Sequence, residues 1–184
     1  MMLTIQIDSR EKAKAITKIV NDFDRCGIKH YTSKLFVGDY MSLDNPRLVI
    51  DRKQNLQEIC TNVSTVPKKE KDGRYKRDEH GRIMSGWLRF TEELKRASDA
   101  GIKLIILCEH GGNIKCLDDV KQWENPRLKD SPLAMSGERL HKVLCSMSRH
   151  YGVDFLFCDK KSTGREIIRL LGGDDSNGEA QNIY

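Results

Sequence analysis

No apolar run in this chain approaches the ~18 residues needed to cross a bilayer, so no transmembrane helix is expected. The opening Met-Met-Leu-Thr-Ile-Gln-Ile-Asp lacks a basic segment followed by an apolar one, and no secretory signal is predicted. Cysteines at 26, 60, 108, 116, 145 and 158 form no C-x-x-C pair. Cys26, Cys108, Cys145 and Cys158 fall in or beside apolar segments, which predicts buried free thiols in a reducing compartment. Cys108-x-His110 with Cys116 matches no familiar zinc spacing, and the five histidines share no pattern. No internal repeat or linker divides the chain. Its 184 residues, 38% apolar and 32% charged, suit one domain with a proper core and long polar loops.

What is present is an uneven charge. Residues 1–100 carry 20 Lys/Arg and 15 Asp/Glu, which accounts for the whole net charge of +5; residues 101–184 carry 12 of each. A local positive field attracts polyanions and speeds encounter, although the same balance would also serve solubility alone. Much of it lies in Pro67 to Gly86, a polar stretch without apolar periodicity. Lys68, Lys69, Lys71, Arg74, Lys76, Arg77 and Arg82 there face only four acids. Loops of this length are functional or disordered. This one reads as a mobile arm for nucleic-acid backbone, with solvated disorder as the alternative. Tyr75 and Trp87 offer stacking surfaces for unpaired bases, although Trp87 also fits the apolar face of the following helix.

Periodicity gives the elements. Leu3 to Ile7 alternates as a strand, and Glu11 to Cys26 has helical spacing stopped by Gly27. Ile28 to Leu35 is extended, and Asn55 to Val63 reads as a short helix. Trp87 to Ala100 is helical, and Ile102 to Cys108 is a strand buried on both faces. Gly111 to Gly137 is a second polar insertion, with a short helix at Asp118 to Trp123. Glu138 to Tyr151 is an amphipathic helix, Val153 to Cys158 a strand, and Ser162 or Thr163 caps a last helix through Leu171. Residues 174–184 read as a frayed tail. The pattern predicts an α/β fold, a mixed central sheet covered by helices.

Between the second and third strands lies the most informative pattern. Gly38-Asp39 precedes Asp51-Arg52-Lys53, and the intervening Tyr40 to Ile50 reads as a hairpin turning at Asp44-Asn45-Pro46. If those three residues form the loop, paired positions sum to 90 and Asp39 lies opposite Asp51. Lys53 then shares their face, because side chains alternate with period two. Two acids and a lysine form a minimal set for holding a divalent cation against a phosphodiester. A slip of one residue would separate them. Each piece alone has a plain structural alternative: Asp39 as a strand-entry residue, Asp-Arg-Lys as a solvated strand end, Asp8 as a helix cap.

Val37-Gly38-Asp39-Tyr40 through Val49-Ile50-Asp51-Arg52-Lys53-Gln54-Asn55-Leu56-Gln57 resembles the Gly-Asp … Glu-Arg-Lys-x3-Asp motif of XPF-family nuclease domains, a branch of the PD-(D/E)xK nucleases. Ile7-Asp8-Ser9-Arg10-Glu11 is similar to that family's opening strand end. Arg89-Phe90-Thr91-Glu92-Glu93-Leu94 looks like its helix before the buried strand, and Gly152 to Leu171 like its closing strand and helix. Asp51 replaces the usual Glu, and Gln57 stands where the motif ends in Asp. The resemblance implies a restriction-endonuclease-like sheet and one nuclease domain over residues 1–173, with insertions at about 64–86 and 110–137.

The implied activity is Mg²⁺- or Mn²⁺-dependent cleavage of DNA at branches or single-strand/duplex junctions. Expected catalytic residues are Asp39, Asp51, Lys53, Asp8 and Arg52, the last through its carbonyl. Asp39, Asp51 and Asp8 would ligate the metal. Arg10, Lys68, Lys69, Lys71, Arg74, Lys76 and Arg77 would contact DNA. Glu11 would join the acidic cluster. The family's C-terminal helix-hairpin-helix module has no counterpart here, so DNA grip is expected from elsewhere or from a homo- or heterodimeric partner. Location would follow the DNA: cytoplasmic beside a nucleoid, or nuclear. The alternative is an inactive DNA-binding or scaffold subunit on the same fold, which Gln57 favours. A receiver-like phosphate-binding domain fits poorly, because a hairpin precedes Asp51.

Overall fold

Alternating apolar residues build strands that pair into one mixed sheet, and the pleat of that sheet decides which polar residues meet. The computed structural model describes residues 3–64, 66–67, 70–81, 85–86 and 89–172. In chain order the elements are β1 (Thr4–Asp8), α1 (Ala13–Arg25), β2 (Lys29–Ser33), β3 (Tyr40–Ser42), β4 (Asn45–Lys53) and α2 (Leu56–Val63). There follow β5 (Val66–Pro67), β6 (Ser85–Gly86), α3 (Arg89–Asp99) and β7 (Lys103–Cys108). Two 3-10 helices, Leu117–Gln122 and Pro126–Lys129, precede α4 (Gly137–Tyr151), β8 (Asp154–Phe157) and α5 (Thr163–Leu170). The order expected from periodicity is observed for the six-stranded sheet and the α-helices; the short β5 and β6 and the Pro126–Lys129 helix add to it.

The six-stranded sheet runs β2-β1-β3-β4-β7-β8. β3 is antiparallel to β1 and β4; the β1–β2, β4–β7 and β7–β8 pairs are parallel. Helices cover both faces, as the fold class predicts. Ile16, Ile19 and Phe23 of α1 and Ile167 and Ile168 of α5 pack on Ile5, Ile7, Ile50, Ile105 and Leu107. On the other face, Leu56 and Ile59 of α2, Phe90 and Leu94 of α3 and Leu140 and Leu144 of α4 pack on Val49, Leu104, Ile106 and Phe155. Burying one such side chain contributes about 1.5–3 kcal/mol, so both layers hold the sheet rigidly. Val49 and Ile50 therefore fix the sense of the pleat through Asp51, Arg52 and Lys53.

The hairpin corrects one detail. Tyr40 pairs with Ile50 and Met41 with Val49, the expected register. The turn, however, is Leu43-Asp44, because Ser42 pairs with Asn45 and the register shifts after Met41. Ser42 Oγ accepts from the Asp44 N–H at 3.2 Å and tightens the turn. The surplus residues, Pro46 among them, fall in the irregularity, where a missing N–H costs little.

The first insertion closes at its base as a two-stranded ribbon, Val66 opposite Gly86 and Pro67 opposite Ser85. Lys68, Lys69, Arg82 and Trp87 and the expected tail at 174–184 lie outside the described residues. The second insertion is not a plain polar loop: Ile114 and Val120 are buried in the α2–α3–α4 core. Among the described residues no helix is long and apolar enough to cross a membrane.

Candidate active site

Asp51 and Lys53 leave the end of β4 on the side of α2 and α3, and Asp39 joins them from the segment entering β3. Gly38 makes that approach possible. Its φ is +68°, and an added Cβ would lie 2.5 Å from Val49 Cγ1 and 3.0 Å from the Ile50 carbonyl. The Asp39 N–H then donates to the Ile50 carbonyl at 2.8 Å, and Asp39 Oδ2 accepts from the Arg52 N–H at 2.8 Å. Lys53 Nζ donates to Asp51 Oδ1 at 2.7 Å and sits 5.3 Å from the Phe90 ring centre. These groups line a cleft of ≈ 330 Å³ with Arg10, Glu11, Arg52, Glu58, Asn62, Arg89 and Glu93.

The acids crowd one another. Burial and the charges of Asp51 and Glu11 hold the Asp39 carboxyl well above the usual carboxylate range. Burial also raises Asp51, with Lys53 opposing and Glu93 adding to the rise. Burial pulls Lys53 down, but Asp51 outweighs it and the ammonium is held above its ordinary value. Lys53 Nζ also lies 2.7 Å from the buried Asp51 Oδ2 as an ion pair. Two crowded carboxyl groups at one cleft suit a hard cation. Among the described residues no three His, Cys, Asp or Glu side chains converge as a complete cage. A cation held here would find two carboxylates and would need waters or phosphate oxygens to complete its shell.

Other expected site residues are placed differently. Asp8 shares the strand ends but does not line the cleft. Its oxygens accept from the Arg10 backbone N–H (2.7 Å), Arg10 Nε (2.8 Å), Arg10 Nη2 (2.7 Å) and the Leu35 N–H (2.9 Å). Burial would raise its pKa, yet these donors leave it lowered. A carboxylate so occupied braces Arg10, which reaches the cleft. The Arg52 guanidinium points to the opposite face, bound to Glu11 at 2.9 Å and lying 3.4 Å from Glu109. Glu11 also accepts from the Tyr40 hydroxyl at 3.3 Å. Gln57 lines a separate cleft on the far side of α2. Lys71, Arg74, Lys76 and Arg77 are exposed on the first insertion, where Arg74 pairs with Asp72 at 2.6 Å and Arg77 donates to the Gly81 carbonyl.

Three acids and bases were missed. Glu93 faces the cleft from α3, and its Oε1 accepts from the Gly38 N–H at 2.9 Å. Its signal was the α3 stripe: Phe90, Leu94 and Ala97 are buried, and Glu93 flanks them. Arg89, four residues earlier, shares its side. Glu58 enters the cleft because Asn55 caps α2, Oδ1 accepting from the Glu58 N–H at 2.9 Å. Glu58 Oε2 returns to the Gln54 N–H at 2.8 Å, close to a capping box and legible as Asn-x-x-Glu.

The ERCC4 domain family matches residues 7–171. Among solved structures, XPF from Aeropyrum pernix is 17% identical with a TM-score of 0.55, covering 91% of this chain and 63% of that one. XPF from Aeropyrum pernix in complex with DNA is 16% identical with a TM-score of 0.55, covering 92% and 63% respectively. No curated protein sequence matches significantly. The chain thus spans about 63% of the length of the solved chains it matches. With a match over nearly the whole described fold, the chain belongs to the ERCC4 domain family, the XPF-type nuclease-domain family that its motifs resemble.

Proposed function

We propose that the chain is a metal-dependent endonuclease that hydrolyses DNA phosphodiester bonds at branched DNA or single-strand/duplex junctions. The observation that carries this reading is the convergence of Asp39 and Asp51 beside the Lys53 ammonium at one cleft. Asp39 and Asp51 are the residues that would hold Mg²⁺ or Mn²⁺. When bound, such a cation lowers the pKa of a water and polarises a phosphoryl oxygen.

The protein's own groups do the rest. Lys53 stays protonated at neutral pH, so it serves as a fixed cation for charge developing on the phosphoryl oxygens and not as a base. Phe90 keeps that ammonium in place from below. Arg10, anchored by Asp8 yet 44% exposed, presents its remaining N–H groups to a substrate phosphate. Arg52 is a positioning residue: its buried ion pairs lock the end of β4 on which Asp51 and Lys53 sit. We read residues 1–173 as one nuclease domain. Because the chain spans 63% of the Aeropyrum chains, further DNA grip from a second copy or another subunit belongs to the same reading.

A second reading, a non-cutting DNA-binding subunit, is favoured by Lys53 resting on Asp51 without a third acid in a cage. One assay decides between them. Forked, flapped and plain duplex DNA are incubated with and without Mg²⁺. The nuclease reading expects Mg²⁺-dependent cutting, greatest on the forked or flapped substrates; binding without cutting supports the second reading. Cutting retained by both Asp39→Asn and Lys53→Ala would remove this cleft from the account.

A further inference from the structure

The second insertion is rigidly built, and it walls a cleft of ≈ 420 Å³ on the side of α2 away from the candidate active site. The buried Asn125 pins both of its ends. Oδ1 accepts from the Arg127 N–H at 3.0 Å, and Nδ2 donates to the Met135 carbonyl at 2.8 Å. At Gly137 an added Cβ would lie 2.5 Å from the Val120 and Trp123 carbonyls, so the start of α4 is pressed onto the Leu117–Gln122 helix. The position of Arg139, two residues on, is fixed by that contact.

The chemistry of this cleft is the reverse of the first. Arg127 and Arg139 line it, and no Asp or Glu does. Both arginines are exposed, and neither pairs with a carboxylate among the described residues. Between them stand apolar surfaces, chiefly Leu133, 91% exposed, and Met135. Cations beside apolar contact area match a chain that alternates phosphates with sugars and unpaired bases. An acidic peptide has the charge, but it would leave Leu133 without a regular apolar partner.

We propose that this second cleft is a groove for a single strand of nucleic acid, its phosphates held by Arg127 and Arg139. Glu58 and Asn62 of α2 face the active cleft, whereas Gln57 and Thr61 face this one. A helix is about 10 Å across, a span that a few nucleotides of a single strand cover. A strand released at a junction in the first cleft therefore reaches the second by crossing α2. That continuity rests on the nuclease reading; the groove itself does not.

The test is binding of a fluorescent oligothymidylate without divalent metal, so that cutting plays no part. Arg127→Ala/Arg139→Ala should weaken binding about tenfold at low salt and lower the slope of log K against log salt by about 1.4, as for two single-strand phosphates. Arg127→Lys/Arg139→Lys should restore most of the affinity, because a phosphate accepts either cation. Equal binding and slope in wild type and the alanine pair would overturn the groove while leaving the nuclease reading intact. Failure of the wild type to bind any DNA would overturn both. Stronger competition by polyglutamate than by oligothymidylate would assign the cleft to an acidic peptide and sink the proposal. Thermal unfolding of each variant, expected unchanged for exposed arginines, separates lost contacts from lost fold.

Discussion

On one face of β4, Asp51 and Lys53 open into the cleft; on the other, the Arg52 side chain runs to Glu11 at the cleft's edge and to the buried Glu109. Three consecutive residues thus enter two environments, divided by the pleat alone. On the open face, Asp39 and Asp51 crowd together beside Lys53. On the other face, opposite charges meet: the Arg52 guanidinium is 5% exposed and the Glu109 carboxylate 3%. The first arrangement has poor static stability and suits a ligand; the second holds the strand in place. A charged motif read as one functional unit is here a working half and a supporting half.

Substitutions should split along that line. Asp51→Asn and Lys53→Ala should each cut the rate of DNA cleavage by roughly 10²–10³-fold or more, with affinity for the same DNA, measured with Ca²⁺ in place of Mg²⁺, changed far less. Arg52→Ala should instead destabilise the fold by about 3 kcal/mol, since it leaves the buried Glu109 carboxylate without its cation and takes the stronger of its partners from Glu11. Urea unfolding monitored by circular dichroism measures that loss. An Arg52→Ala protein of unchanged stability but no activity would move Arg52 to the working half.

Asp8 extends the comparison to pH. Its folded pKa lies below the ordinary 3.8, so its stabilisation is complete above that value and is lost as pH falls through the folded pKa. Asp8→Asn should therefore cost about 1–2 kcal/mol at pH 7, and the gap from wild type should close as the urea midpoints are followed downward from pH 4. A gap that widens in acid would contradict the brace. The smallest effect belongs to Gln57: Gln57→Ala should leave cleavage within about twofold of wild type, because it faces the second cleft. Glu58→Gln should slow cutting more than Gln57→Ala does. The reverse ranking, read in the same gel assay, would restore Gln57 to the motif position that its spacing suggested.

Much of this was legible in the sequence because it is local. Periods of two and 3.6 gave the order of strands and helices, and the alternation through β4 placed Asp51 with Lys53 and apart from Arg52. The Tyr40–Ile50 register followed from the hairpin pattern even though the turn itself was displaced by the irregularity around Pro46. What could not be read depends on distant partners. Leu35 donates to Asp8 from 27 residues away, and Glu93 reaches Gly38 from 55. Whether a carboxylate is saturated or free is a tertiary fact, so Asp8 and Asp51 looked alike in sequence. The second insertion misled for a related reason: only a few apolar residues, Ile114 and Val120 among them, anchor an otherwise polar segment.

The most direct test of the central claim is titration of the metal-free protein with Mn²⁺, followed by the electron paramagnetic resonance signal of the free ion. The account expects saturable uptake by the wild type, lost or greatly weakened in Asp39→Asn and in Asp51→Asn and retained in Asp8→Asn. Uptake that survives both cleft substitutions, or that disappears only with Asp8, would place the cation elsewhere and contradict the assignment.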